Sequence, residues 1–256
     1  GIYDRRAEEL ARTVEAQAWD GAWYRRAYYD DGTPLGSRAG QEARIDSVPQ
    51  SWAVISGAAD PGRAALALQA AEDHLIRWEG WVAALFWPPF DRDAHDPGYV
   101  KGYPPGVREN GGQYTHAALW LAMAYARRGE GDRAGALLRL LNPVEHARIP
   151  ADVERYRVEP YVVAADVYTQ ESRLGQGGWT WYTGSSGWMY RVWLEDVLGV
   201  KRRGNRLLIE PAIPSDWPRV VVRYRYGRTV YEITVENPDR VSHGVARMEI
   251  DGETRP

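Results

Sequence analysis

The apolar residues of this chain change their period once, near residue 205, and that change sets the fold class. Before it they recur at helical spacing, in segments broken by long loops rich in Gly, Pro and aromatics; after it they alternate or are β-branched, as in strands. The pattern predicts helices over 2–19, 46–57, 60–78, 112–128, 131–141, 160–171 and 186–198. Asp46 or Ser47 would cap the second, and Pro61 would open the third from within its first turn. Strands are expected over 207–209, 219–226, 229–236 and 245–250, with turns at 226–229 and at Asn237-Pro238-Asp239. Short and long connections alternate between the helices, as in an α/α toroid whose long loops gather at one end and build the site. The expected architecture is therefore mainly α: a partial (α/α)6 toroid over 1–205, then an incomplete antiparallel β-domain over 206–256. Roughly seven helices do not close a ring of six hairpins, and about four strands do not close a sandwich. The chain is thus expected to be cut at both ends.

Composition narrows the function. The chain has 256 residues, a net charge of −3 and no cysteine, which argues against a nucleic-acid partner, a polybasic membrane contact, a disulfide framework and a thiolate metal site. No apolar run reaches the length of a membrane span, no secretory signal opens the chain, and a cytoplasmic location is expected. The five histidines, at 74, 95, 116, 146 and 243, show no metal-ligand spacing, and no metal or cofactor is expected. The aromatic set is unusual: 12 Trp and 16 Tyr against 2 Phe. Flat apolar faces with polar tips suit sugar rings, although they also fill helical cores.

Three stretches carry chemistry. The first, PGYVKGYPPGVRENGGQYTH (97–116), packs Lys101, Arg108, Glu109, Asn110, Gln113, His116 and three tyrosines between glycines and prolines, and reads as a binding loop. The second, GQGGWTWYTGSSGW (175–188), runs a Thr183-Gly184-Ser185-Ser186-Gly187 cluster into a helix; its free N–H groups suit an anion, while a bare Ser N-cap is the plainer reading. The third (19–37) sets Asp20, Asp30 and Asp31 beside Trp23, Tyr24, Tyr28 and Tyr29; turn formation accounts for these aspartates better than catalysis does.

RIDSVPQSW (44–52), PGYVKGYPPGVRENGGQYTHAALW (97–120), VEPYVVAADVY (158–168) and GGWTWYTGSSGWMYR (177–191) resemble the glycoside hydrolase family 94 phosphorylases, in register through nearly the whole chain. The nearest branch is the phosphorylase-like region of the cyclic β-1,2-glucan synthases, related to cellobiose, cellodextrin and chitobiose phosphorylases. The resemblance implies inverting phosphorolysis of a β-glucoside to α-glucose 1-phosphate, with inorganic phosphate as co-substrate and a β-glucan oligosaccharide as partner. It implies phosphate contacts at His116, Thr183 and Gly184, with His116 supplying charge if protonated, and acceptor-sugar contacts at Tyr103, Arg108 and Glu109. Cellobiose-specific members carry Lys where this chain has Arg108, which leaves the acceptor sugar open. The general-acid Asp and a phosphate-binding Arg are implied upstream, outside these 256 residues; Asp20 matches a different segment. The parent would then be a membrane-tethered or cytoplasmic hexosyltransferase, with a homodimer among its assemblies, and this chain alone would be inactive and marginally stable.

Two other readings stand beside it. One is an inverting α/α-toroid hydrolase using Asp20 and Glu109. The other is a carbohydrate-binding or length-sensing module without chemistry.

Overall fold

The computed structural model describes residues 1–255. Seven α-helices occur among them: α1 (Ile2–Gln17), α2 (Ser47–Ile55), α3 (Pro61–Leu75), α4 (Thr115–Arg127), α5 (Gly131–Leu140), α6 (Pro150–Tyr156) and α7 (Thr183–Arg191). At the centre is α4, whose Ala117, Ala118, Ala122, Ala124 and Ala126 are all buried. Small side chains let neighbours approach on every side, and α4 packs against α2, α5 and α7, while α3 packs on α2. The main core gathers Leu68, Leu75, Leu119, Leu121, Leu137, Leu138 and Leu140 between these helices. By contrast α1 buries no residue. It is tied through Glu15, which pairs with Arg63 at 2.6 Å and accepts from the Tyr24 hydroxyl.

One expected helix is absent. Residues 160–171 bend and turn, and Asp166–Val167 pair as a short strand with Gln113–Tyr114. The β-branched Val162, Val163 and Val167 fit that extended path. The helix in this region is instead α6, opened by Pro150 in its first turn and stopped where Arg157 turns left-handed, φ 59°. Boundaries differ as well. Helix α4 starts at Thr115 because Gln113–Tyr114 are extended, and α7 starts three residues before the expected 186. Helix α7 then widens into a π-helix over Val192–Val197, where Leu198 N–H donates to Trp193 O at 2.8 Å.

Short extended segments link the starts of the helices. Ile45–Asp46 pair with Phe86–Trp87, Leu85 N–H donates to Gly112 O, and Val167 bridges Gly177. Since α2 and α4 each begin directly after one of these segments, and α7 follows a few residues beyond Gly177, the three helix N-termini meet at one end of the molecule. Asp46 shows how one start is fixed. Its carboxylate accepts from Val48 N–H at 2.7 Å as the N-cap of α2, with Arg26 Nε 3.6 Å away. Burial outweighs these partners and pushes its carboxyl from the ordinary 3.8 up to about 6. A raised carboxyl favours the fold fully below 3.8 and loses that contribution as pH rises through 6. Asp46→Asn keeps the cap without the charge. Relative to this variant, the native chain should lose about 2.5 kcal/mol between pH 4 and pH 8. Urea unfolding of both proteins at the two pH values checks this, and an unchanged difference would contradict it.

The strand-rich part begins as a hairpin of Val200–Arg203 with Arg206–Ile209, so pairing starts before residue 205. The segment after it returns to the helices: Ala212 and Ile213 join the main core, and Trp217 stacks on Trp193, ring centroids 6.0 Å apart. Two further ribbons follow, Arg219–Tyr226 with Thr229–Glu236 through the Gly227-Arg228 turn, and Met248–Ile250 with Glu253–Arg255. Among the described residues the strands form two-stranded ribbons only.

Candidate functional site

Helix α7 starts with its amides open. Its N-cap is Tyr182, which contributes no side-chain cap, and the Ser185 hydroxyl donates back to Tyr182 O at 3.3 Å. Thr183 and Gly184 are exposed. The first N–H groups of a helix lack intrahelical acceptors and sit at the positive end of its dipole, so this is an anion-accepting end. Ser185 and Ser186, the expected caps, lie inside the helix.

His116, in the first turn of α4, is brought directly to this end. A Cβ built on Gly184 would lie 2.6 Å from His116 Nε2 and 2.8 Å from Cε1, so only glycine lets the imidazole come so near the backbone. Tyr114 stacks on the ring at 5.4 Å, and Trp120 meets it edge-on at 6.4 Å. Nδ1 is buried without a partner, and burial pushes the imidazole below its ordinary 6.5. The imidazole is therefore neutral at pH 7 in the free protein, and it offers hydrogen bonding rather than the charge that protonation would supply.

The residues expected on the acceptor side come from the loop before α4. Asn110 is buried and closes that loop, donating to Phe90 O at 2.9 Å and Tyr103 O at 2.8 Å while accepting from Phe90 N–H. The closure displays Arg108 at the tip on left-handed backbone, φ 50°. Its guanidinium lies over Tyr103 at 5.4 Å and Trp179 at 5.0 Å, held between two rings. Glu109 Oε2 is 3.6 Å from Arg108 Nε, too long for a hydrogen bond, and both atoms are buried without partners. Burial works against the Arg108 cation, but Glu109 and Asp166 outweigh it and keep it charged.

Asp166 is the residue that the sequence reading passed over. Its Oδ1 accepts from Trp179 N–H at 2.9 Å, and its Oδ2 is buried without a partner. Burial raises its carboxyl against that bond and against Arg108. A single acid inside the apolar run VVAADVY was the available signal, because a buried carboxylate needs a reason to be there. Arg108 Nε, Glu109 Oε2, His116 Nδ1 and Asp166 Oδ2 are thus unsatisfied on linked elements. Native proteins rarely leave such groups bare unless a ligand or solvent completes them.

Two aspartates of the third stretch, Asp20 and Asp31, have other occupations. Asp20 accepts from Ser37, from Arg38 N–H and from Arg25. Although burial alone would raise it, these donors hold its carboxyl below the ordinary range, so it is ionised and engaged, a poor proton donor. Asp31 accepts from Thr33 N–H and lies 3.2 Å from His95. Among the described residues no group of three potential ligands could hold a metal ion.

Residues 1–199 match the family model of the glycosyl hydrolase 94 superfamily catalytic domain. The chain belongs to that superfamily. It is 48% identical over 247 residues to the cyclic beta-(1,2)-glucan synthase NdvB of Rhizobium meliloti (strain 1021), covering 96% of this chain and 9% of that protein. It is 33% identical to the N,N'-diacetylchitobiose phosphorylase of Vibrio proteolyticus, covering 98% of this chain and 31% of the relative. Similarity to the solabiose phosphorylase of Paenibacillus borealis is 32%, covering 96% and 32%. The chain thus spans a tenth to a third of the length of these curated relatives. In glycosyl hydrolase 94 terms it is a phosphorylase-like region, and the family expected from its motifs is borne out. Among the described residues no helix is long and apolar enough to cross a membrane.

Proposed function

We propose that this chain carries the phosphate-binding and acceptor-sugar side of an inverting β-glucan phosphorylase centre. Phosphate oxygen attacks the anomeric carbon, the β-glucosidic bond breaks, and α-glucose 1-phosphate leaves a glucan one unit shorter. Thr183 Oγ, the N–H of Gly184 and the His116 imidazole hold the phosphate; Tyr103, Arg108 and Glu109 hold the acceptor sugar. The observation that carries the reading is the seating of His116 against Gly184 at an uncapped helix start. Phosphate is itself the nucleophile, so no second carboxylate is needed to activate water, and Asp20, occupied as it is, supports no hydrolase pair with Glu109. In this reading the proton for the leaving oxygen falls to a general acid outside these residues. Similarity to NdvB favours a β-1,2-linked glucan. A homodimer, inorganic phosphate as the only co-substrate and the division near residue 205 belong to the same proposal.

With His116 neutral, phosphate binding has a proton signature. A bound dianion favours the imidazolium, so phosphate should raise the His116 pKa from below 6.5 and take up a proton on binding. Titration of the His116 Hε1 resonance with and without inorganic phosphate tests this. An unshifted titration curve in saturating phosphate would remove His116 from the phosphate site.

A further inference from the structure

The segment leading into α7 exposes more aromatic surface than the phosphate and acceptor contacts employ. Trp181 is 67% and Tyr161 74% exposed, and their rings meet edge to face, centroids 6.3 Å apart. Trp181 holds left-handed backbone, φ 64°, which disfavours an aromatic residue. Its indole Nε1–H donates to Glu159 Oε1 at 3.0 Å. That bond fixes the edge of the ring and leaves its face open. On either side in sequence, Trp179 and Tyr182 pair edge to face at 6.1 Å, and Trp179 lies under Arg108. The exposed Trp181 thus lies one residue from Tyr182 and two from Trp179 in the same segment.

We propose that Trp181, Tyr161 and Glu159 form a distal carbohydrate platform that holds a glucosyl unit of the same glucan, further along the chain than the unit at Arg108 and Glu109. The C–H face of a sugar lies on the indole, and a sugar hydroxyl donates to the Glu159 carboxylate. The carboxylate decides against an apolar protein surface as occupant. A dry interface would take the Glu159 carboxylate out of water, whereas a wet polyhydroxylated chain keeps it hydrated and hydrogen-bonded. The proposal rests on the glucan reading above for its ligand class, and not on phosphate.

The test is calorimetric titration of the 256-residue protein with a long β-1,2-glucan and with the disaccharide of the same linkage. Trp181→Ala and Tyr161→Ala should each weaken the long glucan on the order of tenfold. They should leave disaccharide binding, thermal unfolding and the phosphate response of His116 unchanged, since both side chains are exposed. Equal affinity of wild type and Trp181→Ala for the long glucan overturns the platform, as does a wild-type protein that binds no glucan. Long-glucan binding that depends on Trp181 while His116 ignores phosphate retains the platform and sinks the phosphorylase reading instead.

Discussion

Gly184→Ala should separate binding from stability. Alanine is the better helix former by about 1 kcal/mol, and the position is exposed in the first turn of α7, so the fold should hold or gain slightly. The new methyl would, however, stand 2.6 Å from His116 Nε2. The imidazole cannot swing aside without leaving its stack on Tyr114, so either the ring or the helix start moves. Losing a hydrogen bond to a charged ligand costs about 1.5–3 kcal/mol, roughly tenfold to a hundredfold in affinity. Phosphate affinity, read from the His116 titration or by calorimetry, should fall by that order while the urea midpoint stays level. An affinity within about twofold of wild type would show that the contact does not serve phosphate.

Gly199→Ala should do the opposite, damaging the fold at a distance from the site. Gly199 has φ +73°, and a Cβ there would lie 2.1 Å from the Glu210 carbonyl carbon and 2.3 Å from Pro211 N. Those atoms are backbone, fixed by the bond from Glu210 N–H to Gly199 O and by the one from Ala212 N–H to Val197 O. Left-handed backbone costs alanine about 1–2 kcal/mol, and the overlap about 1–3 more. A loss of about 3 kcal/mol is a large part of the 5–15 kcal/mol of an ordinary domain. Denaturant unfolding should show a lower midpoint with an unchanged slope. A loss under about 1 kcal/mol would mean that the 210–213 segment shifts freely on the helices.

These two glycines also show what the sequence made legible. Thr183-Gly184 and His116 stood out as motifs, but their meeting depends on the tertiary pairing of 113–114 with 166–167, which no local pattern encodes. That same pairing claims residues where a helix was expected, because a short apolar run with several valines satisfies either period. The start of α7 was placed too late since Tyr182 carries no capping signal and the serines after it do. The charge state of His116 was illegible for a different reason: desolvation by its aromatic neighbours sets it. Local chemistry did fix what it could, as at Asp46 and Pro61, where a cap or a ring marks a helix start without help from distant residues.

The self-closing loop held by Asn110 has a consequence for how specificity can diverge. Residues 103–111 are anchored through Asn110 to Tyr103 and Phe90, and through the Thr169 hydroxyl to Gly111 O, so the identity of the residue displayed at 108 is nearly independent of the helices beneath. Such a loop behaves as a cassette. On the proposed assignment of Arg108 to the acceptor sugar, its tip can be exchanged, and with it the sugar accepted, without disturbing the proposed phosphate contacts at His116 and Gly184; grafting residues 103–109 between relatives is the corresponding route for an engineer.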